Sequence, residues 1–173
     1  MLHSHSDAPS AWVERWAPLI TTGGRVLDVA CGAGRHARWL ADRGYRVDAL
    51  DRDAAALATL SGVPGVNPRR ADIETGPWPC ERGVYAAVVV TNYLHRPLFP
   101  ELLAALAPAG VLIYETFAVG NERFGKPSNP AFLLRAGELL DVVRGRLRVL
   151  AYEDLEVERP RAAMVQRVCA RLE

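Results

Sequence analysis

The segment Arg25–Asp51, "RVLDVACGAGRHARWLADRGYRVDALD", carries the strongest structural pattern in the chain. An aliphatic run ends at a turn that holds Gly32 and Gly34, a helical pattern follows, and a second aliphatic run ends at Asp51. A strand, a glycine turn, a helix and a strand in this order form the unit that binds nucleotides in open α/β sheets. The sequence therefore predicts a nucleotide site at the turn, and Asp28 in the first strand bears on which nucleotide it takes.

The bulk composition is ordinary for a globular domain. The chain has 173 residues, of which 50% are hydrophobic and 24% charged, and its formal net charge is +1. This length suits one domain with a substantial core, and the balanced charge does not favour nucleic acid as a partner. No apolar run is long enough to span a bilayer, and the first residues lack the pattern of a signal peptide. We therefore expect a cytoplasmic protein with no membrane partner.

The cysteines and the amino-terminal histidines do not indicate a metal site. Cys31, Cys80 and Cys169 are far apart and form no C-x-x-C pair, so they outline neither a disulfide framework nor a zinc site. His3 and His5 lie near the amino terminus, where we expect both imidazoles to be solvated.

Strands and helices alternate along the chain until its end turns β-rich. We expect an N-terminal helix in residues 8–22, a cofactor-binding part in residues 23–118, and a loop, a helix and a terminal hairpin in residues 119–173. Alternation predicts a mostly parallel sheet with helices on both faces, and the hairpin adds an antiparallel edge. Residues 1–173 are thus predicted to form a single α/β domain.

Three segments of the chain need separate predictions. "IETGPWPCERG", residues 73–83, has too much glycine and proline for a full helix. "LFPELLAALAP", residues 98–108, is predicted to be a helix, with a buried strand "GVLIYETFA" after it. "VGNERFGKPSNPAFLL", residues 119–134, is long for a passive connection and is predicted to be a functional loop. Its residues 121–134 are predicted to be mobile when empty and ordered by substrate.

The glycine turn alone leaves two kinds of nucleotide open. The stretch from Gly32 to Ala37 satisfies G-x-G-x-x-[GA], and Asp51 follows near the spacing of a ribose-binding acid, which fits an NAD(P)-dependent oxidoreductase. Asp28 argues against that interpretation, because a buried carboxylate needs strong donors and a pyrophosphate supplies only negative charge. A ligand with an ammonium or sulfonium group would offset the cost of burial. A purely structural role of Asp28, as a cap, stays open.

Five segments in order resemble the motifs of class I S-adenosylmethionine-dependent methyltransferases. "VLDVACGAG" is similar to motif I, "VDALD" to the second motif, "ADIETGPWP" to the adenine segment, "YAAVVVTNYLHRP" to motif IV, and "LAPAGVLIYETF" to the fifth strand. The resemblance covers nearly the whole chain, from Trp12 to Leu172. It implies a Rossmann-like, mostly parallel sheet of seven strands in the order 3-2-1-4-5-7-6, with the last strand antiparallel.

The resemblance implies that S-adenosyl-L-methionine is the cofactor. Gly32 and Gly34 would let the backbone turn sharply and approach it. Asp51 would accept both ribose hydroxyls, while a role as the N-cap of the next helix stays open, with Asp53 the better cap. The implied cofactor contacts are Asp28, Ala30, Gly32, Ala33, Gly34, Leu50, Asp51, Arg52, Asp72, Ile73, Asn92 and Tyr93.

The remaining cofactor contacts follow the third and fourth strands. The resemblance implies that Asp72 accepts from the adenine amine and that Ile73 packs on the ring. Asn92 and Tyr93 would lie under the methionine part, where ligands sit in open α/β sheets. His36 is either a ligand contact or a satisfied helix residue.

The candidate catalytic residues are His95 and Glu115. His95 and Arg96 are predicted to lie on the loop that faces the substrate, where His95 would be a general base or would bond to backbone. Glu115 ends the fifth strand at the same rim, and residues 119–134 would cover the substrate.

The chemistry implied is methyl transfer to a small-molecule acceptor by in-line displacement. Within the superfamily the chain resembles small bacterial methyltransferases of the tellurite-resistance and thiopurine type. We expect a monomer or homodimer. The alternatives are a noncatalytic protein that binds S-adenosylmethionine or S-adenosylhomocysteine and, less favoured, an NAD(P)-dependent oxidoreductase.

Overall fold

Seven strands form one sheet in the computed structural model, which describes residues 8–173. The sheet has the order β3-β2-β1-β4-β5-β7-β6, and β7 runs antiparallel to both of its neighbours while the other pairs are parallel. The predicted fold class and strand order are confirmed. The strands are β1 (Arg25–Val29), β2 (Arg46–Asp51), β3 (Val66–Arg70), β4 (Tyr85–Thr91), β5 (Leu106–Phe117), β6 (Arg148–Val157) and β7 (Ala163–Arg171).

Helices cover both faces of the sheet, each over its own apolar core. One core receives α1, α2 and α3, and the other receives α4 and α5. The helices are α1 (Ala11–Trp16), α2 (Arg35–Ala41), α3 (Ala54–Ala58), α4 (Phe99–Ala105) and α5 (Glu138–Val143). Short 3₁₀ turns lie at Ala17–Leu19, Arg96–Leu98, Asn121–Arg123 and Pro130–Phe132.

Two helices begin at side-chain caps, of which the one at Asp53 was predicted. The Ser10 hydroxyl accepts from the Trp12 amide at 3.1 Å and begins α1. The Asp53 carboxylate accepts from the amides of Ala55 and Ala56 and begins α3. Each cap satisfies amides that have no partner inside the helix. Asp53, and not Asp51, is therefore the cap of α3.

The junction of α4 and β5 differs from the sequence prediction. The helix expected over residues 98–108 ends at Ala105, and the strand begins at the next residue, Leu106. Pro108 accounts for the difference, since proline has no amide hydrogen and its ring disfavours helical geometry in the residue before it. Between β3 and β4 no α-helix forms within residues 71–84, as the glycine and proline content predicted.

Two expectations concern membrane spans and the amino-terminal histidines. No helix among residues 8–173 is long and apolar enough to cross a membrane. The predicted solvation of His3 and His5 concerns residues outside the described range.

Candidate cofactor site

A cleft lies where four parallel strands end at the carboxyl edge of the sheet. Its volume is about 170 Å³, and it is lined by Ala30, Asp51, Arg52, Ala71, Asp72, Ile73, Glu74 and Tyr93. These residues follow β1, β2, β3 and β4, on either side of the point where the strand order reverses, which is where open α/β sheets bind ligands. Pockets that enclose a whole ligand start at roughly 300 Å³. The cleft would therefore enclose only one part of a nucleotide.

The turn after β1 adopts a backbone conformation that favours glycine at three positions. Ala30 has φ +53°, Gly32 has φ +57° and Gly34 has φ +76°. Left-handed geometry is strained for alanine, and such strain is often found at functional sites. A Cβ on Gly32 would meet no atom within 4 Å, so this glycine faces open space. A Cβ on Gly34 would lie 2.5 Å from the Leu60 side chain, so this glycine is required by packing.

Asp51 links the ends of β1 and β2. One carboxylate oxygen accepts from the Gly32 amide at 2.8 Å, and the other accepts from the Asp53 amide at 2.9 Å. These bonds fix the carboxylate against the glycine turn at the wall of the cleft. A carboxylate has about four acceptor sites, so two remain for ligand hydroxyls.

Asp28 is buried at the end of β1, with 1% of its surface exposed. It accepts a hydrogen bond from the backbone of Ala37, while its Oδ2 has no partner among residues 8–173. Burial raises the pKa of Asp28 to about 7; the Ala37 amide and Arg35 oppose this rise, and Asp51 adds to it. The bond to Ala37 is the capping contact that the sequence left open, and the second oxygen is buried without a partner among the described residues.

The end of β3 adds an acidic turn to the cleft. Asp72 accepts from the amides of Glu74 and Thr75, and the Thr75 hydroxyl donates to its second oxygen. The Thr75 hydroxyl and the turn amides hold the pKa of Asp72 below its usual range. Glu74 lines the cleft and accepts from the Tyr93 hydroxyl at 3.1 Å. Sequence reasoning missed Glu74, although it stands two residues after Asp72 in the segment likened to the adenine motif.

Six predicted cofactor contacts lie outside the cleft lining: Asp28, Gly32, Ala33, Gly34, Leu50 and Asn92. Leu50 is fully buried in the core, and its carbonyl accepts from the Cys31 amide at 3.0 Å. A side-chain contact of Leu50 with adenosine therefore does not fit its position. Ala33 and Asn92 are exposed beside the cleft, and Asn92 has φ +53°. The lining includes Ala30, Asp51, Arg52, Asp72, Ile73 and Tyr93 from the predicted set.

The side chains of the two residues that follow Leu94 differ in whether they bond to other parts of the protein. The His95 side chain is half-buried and makes no hydrogen bond with any residue from 8 to 173. Arg96 instead forms an ion pair with Glu138, with Nε 2.6 Å from Oε1. Of the polar pair predicted on this loop, only His95 has a side chain left for a substrate.

Glu115 is held by protein groups at both carboxylate oxygens. The Ser10 hydroxyl donates to Oε1 at 2.6 Å, and Arg167 donates to Oε2 at 2.8 Å. These bonds tie the start of α1 to β5 and β7. As a reacting acid or base, Glu115 would have to leave both partners, which makes a structural role the better fit.

His36 is a satisfied helix residue. Its Nε2 accepts from the Ser10 amide at 3.0 Å, so the proton sits on Nδ1, which lies 3.4 Å from the Thr91 hydroxyl. Burial, aided by Arg35, lowers the pKa of His36 to about 3. The imidazole is therefore neutral, and both of its nitrogens have protein partners.

The charges along the cleft select the kind of ligand it suits. Asp51, Asp72 and Glu74 contribute three carboxylates, and Arg52 is the one cation of the lining. A cleft lined mainly by one sign of charge attracts the opposite sign. The site fits an adenosine that carries a positive group better than one that carries a pyrophosphate. No three His, Cys, Asp or Glu side chains among residues 8–173 are grouped to hold a metal ion.

Comparison with known sequences identifies the domain. Residues 26–110 match the family model described as a methyltransferase domain. A protein-L-isoaspartate O-methyltransferase from Chlorobaculum tepidum is 33% identical, with 58% of this chain and 48% of the relative covered. A trans-aconitate 2-methyltransferase from Paracidovorax citrulli is also 33% identical, with 54% and 38% covered. The chain thus spans less than half the length of each of these relatives.

Solved structures agree on the fold at lower identity. TehB from Haemophilus influenzae superposes with a TM-score of 0.79 at 18% identity, over 95% of this chain and 63% of that one. An S-adenosylmethionine-dependent methyltransferase from Mesorhizobium loti gives 0.71 at 18% identity, over 94% and 98%. Geranyl diphosphate C-methyltransferase from Streptomyces coelicolor, solved with S-adenosyl-L-homocysteine, gives 0.69 at 19% identity, over 94% and 77%. The chain therefore carries a methyltransferase domain with the fold of the S-adenosylmethionine-dependent methyltransferases.

Proposed function

We propose that this protein transfers a methyl group from S-adenosylmethionine to a small-molecule acceptor by in-line displacement. The observation that carries the proposal is the acidic cleft beside an open glycine turn. Asp51 is held in place at the cleft wall and keeps acceptor sites free for a ribose. The carboxylates of Asp72 and Glu74 favour a ligand that is positively charged, which disfavours NAD(P) and the oxidoreductase alternative.

The chain's own residues would bind and orient the cofactor. Asp51 would accept from the ribose hydroxyls, and Ile73 would flank the adenine. Tyr93, expected under the methionine part, lines the cleft together with Ile73 and would flank the adenine instead. Gly32 would let the ligand lie against the backbone, since no side chain projects there. Asp28, with its free oxygen, would stabilise positive charge near the turn. When bound, S-adenosylmethionine supplies the electrophilic methyl group on its sulfonium.

On the acceptor side the protein's task is to position a nucleophile and, where needed, to take its proton. The reacting atoms must come within about 3–3.5 Å in line with the bond that breaks. We assign proton transfer to His95, because its imidazole lies on this loop and makes no hydrogen bond with residues 8–173. Glu115 would have a structural role, because its bonds to Ser10 and Arg167 connect β5 to the start of α1 and to β7.

The small size of the acceptor is supported by the loop at residues 119–134. Its base is closed by hydrogen bonds between the amide of Leu134 and the carbonyl of Phe117, and between the amide of Val119 and the carbonyl of Leu134. A closed loop at this rim would restrict the entry of a large acceptor. We further propose a cytoplasmic protein, a monomer or homodimer, that acts without nucleic acid. Its three buried free cysteines suit a reducing compartment.

Two experiments test the proposal. Calorimetric titration with S-adenosylhomocysteine and, separately, with NAD should give binding for the first and none for the second; the reverse result would favour an oxidoreductase. Turnover of labelled S-adenosylmethionine over a panel of small oxygen, nitrogen and sulfur nucleophiles should then give a methylated product. Binding without turnover on any acceptor would instead support a noncatalytic binding protein.

A further inference from the structure

The Arg96 guanidinium joins three segments of the chain. Its Nε and Nη2 donate to the two carboxylate oxygens of Glu138 at 2.6 and 2.9 Å, the bidentate geometry that gives strong hydrogen bonds. Its Nη1 and Nη2 also donate to the carbonyl oxygens of Ala131 and Leu133, at 3.0 and 2.9 Å. One side chain thus ties the loop after β4 to the last part of the 119–134 loop and to the start of α5.

Glu138 is a firm anchor for this contact. Only 7% of its surface is exposed, and its carboxylate also accepts from the Arg135 amide at 2.8 Å. Burial works against the charged form, but the hydrogen bonds from Arg96 and Arg135 keep the pKa of Glu138 below its ordinary value. The carboxylate is therefore charged at neutral pH, when the ion pair with Arg96 is complete.

The first part of the 119–134 loop has an anchor of its own. Asn121 is 2% exposed, its Nδ2 donates to the Pro127 carbonyl at 2.9 Å, and its Oδ1 accepts from the Met164 amide at 3.1 Å. These contacts tie the first part of the loop to β7. Mobility of the loop in the absence of substrate stays a prediction.

We propose that Arg96 is a positioning residue, which fixes His95 and the 119–134 loop relative to each other before any ligand binds. The proposal rests on the methyltransferase function, because under that function the loop after β4 and residues 119–134 would face the methyl acceptor. The Arg96 side chain bonds only to protein groups among the described residues. It therefore acts indirectly, by fixing the loop after β4 on which His95 lies.

Hydrogen exchange of the ligand-free protein tests the contacts of Arg96 with Glu138 and the 119–134 loop. In Arg96→Gln the amide of Arg135, which bonds to Glu138, should exchange about 10- to 100-fold faster, the opening that loss of a hydrogen bond to a charged group allows. Arg96→Lys should show a smaller increase, because a lysine keeps the ion pair but does not bridge both carbonyls. The matched control is Arg82→Gln, which removes a surface pair with Glu101 at 2.9 and 3.0 Å and should leave this amide unchanged.

Imidazole resonances separate positioning from general loss of stability. In Arg96→Gln the ring signals of His95 should shift or broaden, while those of buried His36 should stay in place. Unchanged exchange and unchanged His95 signals would overturn the proposal. Equal acceleration throughout the protein, with His36 disturbed as well, would overturn it too. Titration of the wild-type protein with S-adenosylhomocysteine tests the proposed function separately, since the exchange and resonance measurements on the Arg96 variants need no ligand.

Discussion

The two halves of the sheet's carboxyl edge satisfy their polar groups in different ways. At the ends of β1 to β3, the Oδ2 of Asp28 has no partner within residues 8–173, and Gly32 faces open space. At the ends of β4 and β5, Glu115 and Arg96 are bonded to other parts of the protein. Buried polar groups are costly without partners. The first half thus leaves a buried carboxylate oxygen unpaired among the described residues, whereas Glu115 and Arg96 in the second half are satisfied by the protein. After their proposed roles we call the first the cofactor half and the second the acceptor half.

The largest expected effect is on the pH dependence of stability in Asp28→Asn. The folded pKa of Asp28 is about 7 against an ordinary 3.8, so the folded state binds the proton more tightly than the unfolded state. Stability from this group is present below about pH 4 and is lost as pH rises to about 7. About three units correspond to up to about 4 kcal/mol. Asparagine removes this titration and should raise the free energy of unfolding at pH 8 relative to wild type.

Urea unfolding of both proteins at pH 5 and pH 8 measures this difference. The variant's gain should be larger at pH 8 than at pH 5. Parallel pH profiles for the two proteins would mean that Asp28 is charged and already satisfied, and the contrast between the two halves would lose its main support.

Substitution of Gly32 and Gly34 tests the difference between an open and a packed glycine in the cofactor half. Gly34→Ala should cost about 3 kcal/mol of stability, from left-handed strain of about 1–2 kcal/mol and overpacking against Leu60 of about 1–3 kcal/mol. Gly32→Ala carries only the strain, so it should cost about 1–2 kcal/mol. The variant at Gly32 should in addition weaken S-adenosylhomocysteine binding, because its methyl group projects to the open side. Equal thermal stability of the two variants would contradict this division.

His95→Ala tests the acceptor half. Loss of a general base should lower kcat by roughly 10²-fold with any acceptor that must be deprotonated, or about 2.7 kcal/mol of activation free energy. The dissociation constant for S-adenosylhomocysteine should stay near that of wild type, because His95 is not in the cleft lining. A normal rate would make His95 structural. Lost cofactor binding would mean that the loop faces the cofactor half instead.

Much of the cofactor half could be predicted from the sequence, because local backbone rules dominate there. The alternation of strands and helices indicated the sheet, and the glycine turn with Asp51 located its ligand edge. Glu74 was missed because its role depends on where the turn begun by Asp72 places the next side chains. Leu50 was predicted to flank adenosine, but in the structure its side chain is fully buried in the core.

The acceptor half was less predictable because its polar residues find partners far along the chain. Glu115 bonds to Ser10 and Arg167, and Arg96 bonds to Glu138. No local sequence pattern predicts pairs between residues so far apart, so Glu115 and Arg96 were both interpreted as unpaired functional groups. The early end of α4 was, by contrast, a local effect of Pro108 that the sequence contained.

The cleft beside Asp51 is proposed to bind the adenosine of S-adenosylmethionine. Calorimetric titration of S-adenosylhomocysteine into wild type, Asp51→Ala and the control Asp53→Ala tests this binding. Wild type should bind at micromolar concentration or tighter. Asp51→Ala should lose about 1.5–3 kcal/mol, the scale of hydrogen bonds to a charged group, while Asp53→Ala should lose only helix stability. A flat wild-type titration at hundreds of micromolar, or equal affinity of wild type and Asp51→Ala, would contradict the account.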